Sequence, residues 1–236
     1  MVLLLLASFT NLIIAALGFP AIPNDSSENE IQSCDFPFVT REEWKARTPK
    51  AVDPLSTPVP YVVIHHSYTP PACKSREACK NAMRQMQDFH MDDRGWWDIG
   101  YNFAVGGDGA AYEGRGWTRV GAHALHFNTV SIGICIIGDW RNELPPCNQL
   151  KTAQELIALG VEKGFIKPDY KLLGHRQVRE TECPGDALYS EIKTWDHYSP
   201  YPASKNDLLN LPEISEETKA RIREANPSNV TVTIFK

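Results

Sequence analysis

The chain has 236 residues, 42% hydrophobic and 22% charged, with a formal net charge of −5. That length suits one domain with appendages, and the composition argues against a disordered, collagenous or multispanning chain. The acidic excess leaves a near-neutral middle with no basic stripe to neutralise phosphates, so nucleic acid is set aside as a partner.

Val2 to Leu17 is an apolar run, interrupted by Ser8, Thr10 and Asn11, that ends near Ala15, Ala16 and Gly18. It is too short for a comfortable membrane span and reads as a signal peptide over residues 1–18, although a basic leading region is missing and an uncleaved anchor is the alternative. A secreted, extracellular chain without stable membrane insertion is the expectation, and the sequons at Asn24 and Asn229 agree with it. Residues 19–33 form a polar segment. Thr40 and Glu43 have capping-box spacing, which predicts a short helix there.

Tyr61 to His66 (YVVIHH) follows a proline and is β-branched and continuous, the pattern of a strand buried on both faces. It delivers two histidines, and because neighbouring strand residues face opposite ways only one of them points into a site. Ser75 to Asp92 places Cys79, Ala82, Met83, Met86 and His90 on one helical face, with Gly95 beyond its end as a cap. Tyr101 to Val105 and Ala110 to Glu113 flank an Asp108-Gly109 turn and predict a hairpin. Thr129 to Ile137 is a further buried strand.

Gln149 to Lys163 is a second amphipathic helix, with Asn148 as its expected cap and Gly164 at its close. Lys171 to Gly174 predicts a short strand leading to His175, and Asp186 to Trp195 a last helix entered through Cys183-Pro184-Gly185. This alternation predicts an α/β fold with a central mixed β-sheet flanked by helices. From residue 199 to 236 the pattern changes to a proline-containing extension, in which Glu213 to Glu224 has helical character but too few apolar residues for a core of its own.

The residues that carry chemistry are His65 at a strand end, Tyr101 at the start of another, and His175 and Cys183 within GHRQVRETECPG. Two imidazoles and a thiolate suit zinc, and three protein ligands leave a fourth position for water, the pattern of a catalytic site. The alternative is that the histidines are satisfied strand-end groups and Cys183 is half of a disulfide. Of the six cysteines, Cys73 and Cys79 enclose a short loop and are the easiest pair to join, while Cys135 sits in an apolar run as a buried thiol. His90 reads as packing, His126 and His197 as surface residues, and Trp44, Trp117, Trp140 and Trp195 as core or groove-wall aromatics.

VVIHHS at residues 62–67, DRGWWDIGYNF at 93–103, Gly121-Ala122-His123, Ser131-Ile132-Gly133-Ile134 and GHRQVRETECPG at 174–185 occur in that order. Together they resemble the peptidoglycan recognition protein family, most closely its catalytic amidase branch and the LB subtype. The resemblance spans residues 34–198 and implies the type 2 amidase fold shared with phage amidase-type lysozymes. It implies Zn2+ held by His65, His175 and Cys183, with Tyr101 assisting proton transfer and Thr181 standing where the phage enzymes carry a lysine. His66 is then a core or supporting group.

The activity so implied is that of an N-acetylmuramoyl-L-alanine amidase acting in innate immunity on bacterial peptidoglycan and its muropeptide fragments. A non-catalytic peptidoglycan-binding receptor on the same fold is the alternative reading. Gly95-Trp96 matches the dipeptide that the family associates with meso-diaminopimelate-type substrate, and Arg115 matches the arginine that goes with it. A guanidinium fork is suited to the extra carboxylate of that residue. His123 is a further candidate, either a groove-lining contact or a structural group. The resemblance also implies disulfides Cys73–Cys79 and Cys34–Cys147.

Overall fold

The computed structural model describes residues 36–225. The segment read as a signal peptide, the polar stretch at 19–33, Cys34, both sequons and the end of the extension from residue 226 lie outside the described residues. No helix among the described residues is long and apolar enough to cross a membrane.

The strands are β1 (Phe38–Val39), β2 (Val59–His66), β3 (Phe103–Val105), β4 (Ala111–Glu113), β5 (Ser131–Ile136) and β6 (Ile166–Gly174), in the spatial order β1-β4-β3-β5-β2-β6. Only the β3–β4 hairpin is antiparallel, its turn closed by a Gly106 N–H bond to the Ala110 carbonyl. The other neighbours run parallel, so the sheet is mixed, as the alternating sequence requires.

The central strands β2 and β5 are buried along both faces, which is why their sequences do not alternate with polar residues. On one face Val62, Ile64, Ile132, Ile134 and Ile136 pack beneath helix α2 (Cys147–Glu162), with Leu188 and Ile192 from a short helix beyond β6 joining them. The opposite face has two covers. Helix α1 (Arg76–Asp88), started by the Ser75 hydroxyl cap, lays Cys79, Ala82, Met83 and Met86 over Ala104, Tyr112 and Cys135. At the other end Tyr61, Val63 and Leu173 are covered by Leu208, Leu211, Ile214 and Ile222. His65 is the next residue on that face after Tyr61 and Val63, and it falls between the two covers.

The second cover is made by the C-terminal extension. After α3 (His175–Val178) and α4 (Asp186–Ile192) come α5 (Lys205–Asn210) and α6 (Glu216–Glu224), capped by Ser204 and Ser215. Their apolar residues are too few for a separate core because they complete the core of the sheet. Full burial of Leu208 and Ile222 contributes roughly 1.5–3 kcal/mol each as an upper estimate.

Three local expectations are corrected. Thr40 and Glu43 do form both reciprocal capping bonds, yet the chain makes only a turn: Lys45 enters the left-handed region at φ 60°, and the fully buried Trp44 indole donates to the Glu113 carbonyl. Asn148 is inside α2 rather than its cap, which falls at Pro146; its side chain reaches the Gly107 carbonyl. The helix expected to run to Asp92 ends at Asp88 and continues as a π-helical turn, Phe89–Asp93. Gly95 follows at φ 69°, a conformation open to glycine without strain. The Cys73–Cys79 disulfide is present.

Candidate active site

Strand β2 ends at His65 and His66, and β6 ends at Gly174, one residue before His175. Register pairs Ile64 with Gly174, so two parallel neighbours bring His65 and His175 to the same end of the sheet. Their ring centroids are 4.3 Å apart. Cys183 arrives from the loop after α3, where the Thr181 hydroxyl accepts a bond from the Cys183 N–H at 3.2 Å. Ligand atoms of His65, His175 and Cys183 all lie within 4.8 Å of one another.

Each of the three is prepared for a shared electron-pair acceptor. Both ring nitrogens of His175 are buried without a protein partner. Burial lowers its pKa to about 4 and holds His65 well below the ordinary histidine value, so both rings are neutral donors at neutral pH. Burial pushes the Cys183 thiol up to about 12, while the His66 N–H, 3.3 Å from the sulfur, and Arg176 pull against it. A thiolate in this setting needs a dication, and a soft one such as zinc fits a donor set of two imidazole nitrogens and one sulfur.

His66 faces the other way, as strand alternation requires. Its ring is buried beside Asp139 and accepts from the Trp140 N–H at 3.3 Å, so its contribution to the site is through its backbone. His123 is buried as well: its Nδ1 stands 3.0 Å from His65 Nε2, the nitrogen opposite the one nearest Cys183. Gly133 makes room for this, since a Cβ there would lie 2.3 Å from the His123 ring. Tyr101, two residues ahead of β3, places its ring 5.3 Å from that of His65. Burial, with Cys135 and Cys183 nearby, raises its pKa well above the ordinary phenol value and keeps it protonated.

A pocket of about 370 Å3 adjoins this cluster and includes Gly95, Trp96 and Arg115 among its lining. None of the three candidate ligands lines it. The link is His90, stacked on Trp96 at 4.6 Å and edge-on to Tyr101 at 5.6 Å. Gly100 permits that stack, because a Cβ there would meet the Trp96 ring at 2.7 Å.

Arg115 is buried, with Nε bonded to the Ile99 carbonyl at 2.7 Å, Nη1 to Val120 at 2.8 Å and Nη2 to Asp98 at 3.5 Å. Burial brings its pKa down to about 10, which leaves it a cation at neutral pH. Of a guanidinium's five donors, three are thus directed at the backbone.

Sequence reasoning missed part of this pocket. His126, read as a surface residue, lines it at φ 72° with a buried, unpartnered Nδ1, and Thr129 adds an unpartnered hydroxyl. Buried Asn102 was not singled out, yet it ties Gly116, Arg119 and Gly133 together through three backbone bonds. The glycines at 121, 133 and 138 mark such close approaches, but only a structure says what approaches.

The fold is that of an amidase family: the family model described as N-acetylmuramoyl-L-alanine amidase matches residues 55–186. Peptidoglycan-recognition protein LB of Drosophila melanogaster is 56% identical over 162 residues, covering 69% of this chain and 70% of that protein. The solved structure of wild-type Drosophila PGRP-LB matches with a TM-score of 0.69 at 55% identity, covering 70% of this chain and 97% of that chain. Peptidoglycan recognition protein-LE, solved in complex with tracheal cytotoxin, a monomeric diaminopimelic acid-type peptidoglycan, matches at 0.68 and 46% identity, covering 70% of this chain and 96% of that one. This chain belongs to the peptidoglycan recognition protein family.

Proposed function

We propose that this chain is a secreted, zinc-dependent N-acetylmuramoyl-L-alanine amidase that releases the stem peptide from muramic acid, with a preference for diaminopimelate-type peptidoglycan and a role in innate immunity. The observation that carries the reading is the convergence of His65, His175 and Cys183 within 4.8 Å, with the ring of Tyr101 5.3 Å from that of His65. Zinc bound there would act as a Lewis acid on the scissile carbonyl and lower the pKa of a water toward neutrality.

The chain's own residues do the rest. Neutral His65 and His175 offer lone pairs, and His123 orients the His65 ring from its far side. The His66 N–H and the Thr181 hydroxyl position Cys183. Tyr101, protonated because it is buried, donates a hydrogen bond toward the reacting oxygen and holds a proton for the leaving amine. No lysine stands beside the site in the place of Thr181, so a tetrahedral oxyanion depends on neutral donors such as the Tyr101 hydroxyl.

Substrate binding is assigned to the adjoining pocket. Trp96 offers an apolar wall, and the guanidinium of Arg115 keeps donors beyond those spent on backbone carbonyls, which suits a side-chain carboxylate. The test is metal analysis of the purified chain together with release of stem peptide from diaminopimelate-type muropeptide. One zinc per chain and activity abolished by chelation are expected. Tight muropeptide binding by the zinc-loaded protein without hydrolysis would favour the receptor reading instead.

A further inference from the structure

The pocket beside the zinc-ligand cluster has a wall that lies beyond the residues matched by the amidase family model, which end at 186. Arg221 and Glu224 of α6, with Ala225 just after it, line the same cavity as Trp96 and Arg115. The wall is anchored. Ile222 is fully buried in the core under β2, Arg221 pairs with Asp53 at 2.7 Å, and the ring of His126 lies against the Ile222 backbone. His126 itself holds φ 72°, a conformation that is strained for a non-glycine residue and clusters at ligand-binding sites.

We propose that α6 confines the free tip of the stem peptide, so that this chain acts on short, uncross-linked muropeptides in preference to cross-linked peptidoglycan. The choice of ligand rests on the amidase reading above; the wall itself does not. A third stem residue reaching Arg115 with its side-chain carboxylate brings its side-chain amine to the same end of the cavity. In an uncross-linked stem that amine is a small ammonium, which the carboxylate of Glu224 complements. In a cross-linked stem it is an amide carrying a second peptide, which has lost the charge that Glu224 complements and adds bulk on the side of the α6 wall. A cavity of about 370 Å3 is at the small end of ligand sites, so a second chain would have to leave it past one of its walls.

The experiment compares a diaminopimelate-type monomeric muropeptide with its cross-linked dimer, measuring both kcat/KM and Kd for the zinc-loaded full chain. Wild type is expected to favour the monomer by at least about tenfold. Arg221→Ala combined with Glu224→Ala opens the wall without touching the buried Ile222 and should bring the two substrates within roughly threefold of each other. Ala225→Trp, which adds bulk to the wall, should weaken the monomer as well. A thermal melt of each variant reports that the fold is kept. Equal handling of monomer and dimer by wild type, or a ratio unchanged in the double variant, overturns the proposal while leaving the amidase assignment intact. Failure of wild type to release any stem peptide defeats the amidase assignment, and the ratio of the two Kd values then decides the wall alone.

Discussion

His123 Nδ1 lies 3.0 Å from His65 Nε2, so the ring nitrogen of His65 that turns away from Cys183 has a fixed partner. Such a contact holds the His65 ring in one orientation, and would do so before a metal bound there. His123→Ala is expected to lower zinc affinity about 10–100-fold while leaving the three ligands in place. Gly133→Ala, which touches no ligand, should act in the same direction, because its methyl group would occupy the His123 ring position. Competition against a chromophoric chelator measures both, and an unchanged zinc Kd in both variants would dismiss the positioning role.

Cys183→Ser exchanges a soft thiolate for a hard hydroxyl in a buried site. Zinc content and hydrolysis should both be lost, whereas muropeptide affinity should persist because Cys183 does not line the adjoining pocket. Elemental analysis beside calorimetric binding gives the answer. Full turnover by a variant shown to carry zinc would remove Cys183 from the ligand set.

Tyr101→Phe removes one hydroxyl and leaves the ring that packs near His65 and His90. Zinc binding should be retained and kcat should fall by roughly 10² to 10⁴, the range for a lost acid/base group. Single-turnover measurement at matched zinc occupancy isolates that step, and a normal rate would refute the assignment.

Arg115 has a structural duty that complicates its study, since it bonds three backbone carbonyls. Arg115→Val would leave those carbonyls unpaired at about 1–3 kcal/mol each, so its melting temperature should drop. Arg115→Lys keeps the charge but loses the planar fork. Hydrolysis of diaminopimelate-type stems should fall more than that of lysine-type stems in Arg115→Lys, and an equal proportional loss on both would mean that the arginine serves the fold alone.

Burial of His90 sets an acid limit on stability. Its folded pKa is lowered to about 3, below the unfolded value, so the unfolded chain binds the extra proton first as pH falls. The neutral-ring contribution is complete above about pH 6.5 and declines toward pH 3, with a limiting slope of about 1.4 kcal/mol per pH unit. His90→Gln keeps an acceptor for the Gly100 N–H but removes the titration, and its denaturation midpoints should depend less steeply on pH across that window.

The central sheet was legible because β2 and β5 are continuous apolar runs. Spacing alone left Cys183 open to a disulfide; the family resemblance grouped it with His65 and His175, and the structure brings the three side chains together. What the chain pattern did not reveal was tertiary in origin. Thr40 and Glu43 satisfied a local rule for starting a helix, but burial of Trp44 ended it within a turn. His126 carries no periodic signal, and its place in the pocket depends on a left-handed backbone and on α6 arriving from far along the chain. The few apolar residues of α5 and α6 looked insufficient in isolation because the surface they cover belongs to β2 and β6.

The strand that carries His65 occupies an interior place in the sheet although it is the second to be made. Its two neighbours are β5 and β6, and His65 and Cys183 are 118 residues apart in sequence. During synthesis, β2 therefore has neither edge partner until β5 emerges, and no complete donor set until the loop after β6 has followed. Contacts of such long range slow folding and expose an apolar strand to mispairing while it waits. Capture of a metal by all three side chains would consequently mark the finished molecule, and zinc that bound only this form would shift the folding equilibrium toward it by mass action.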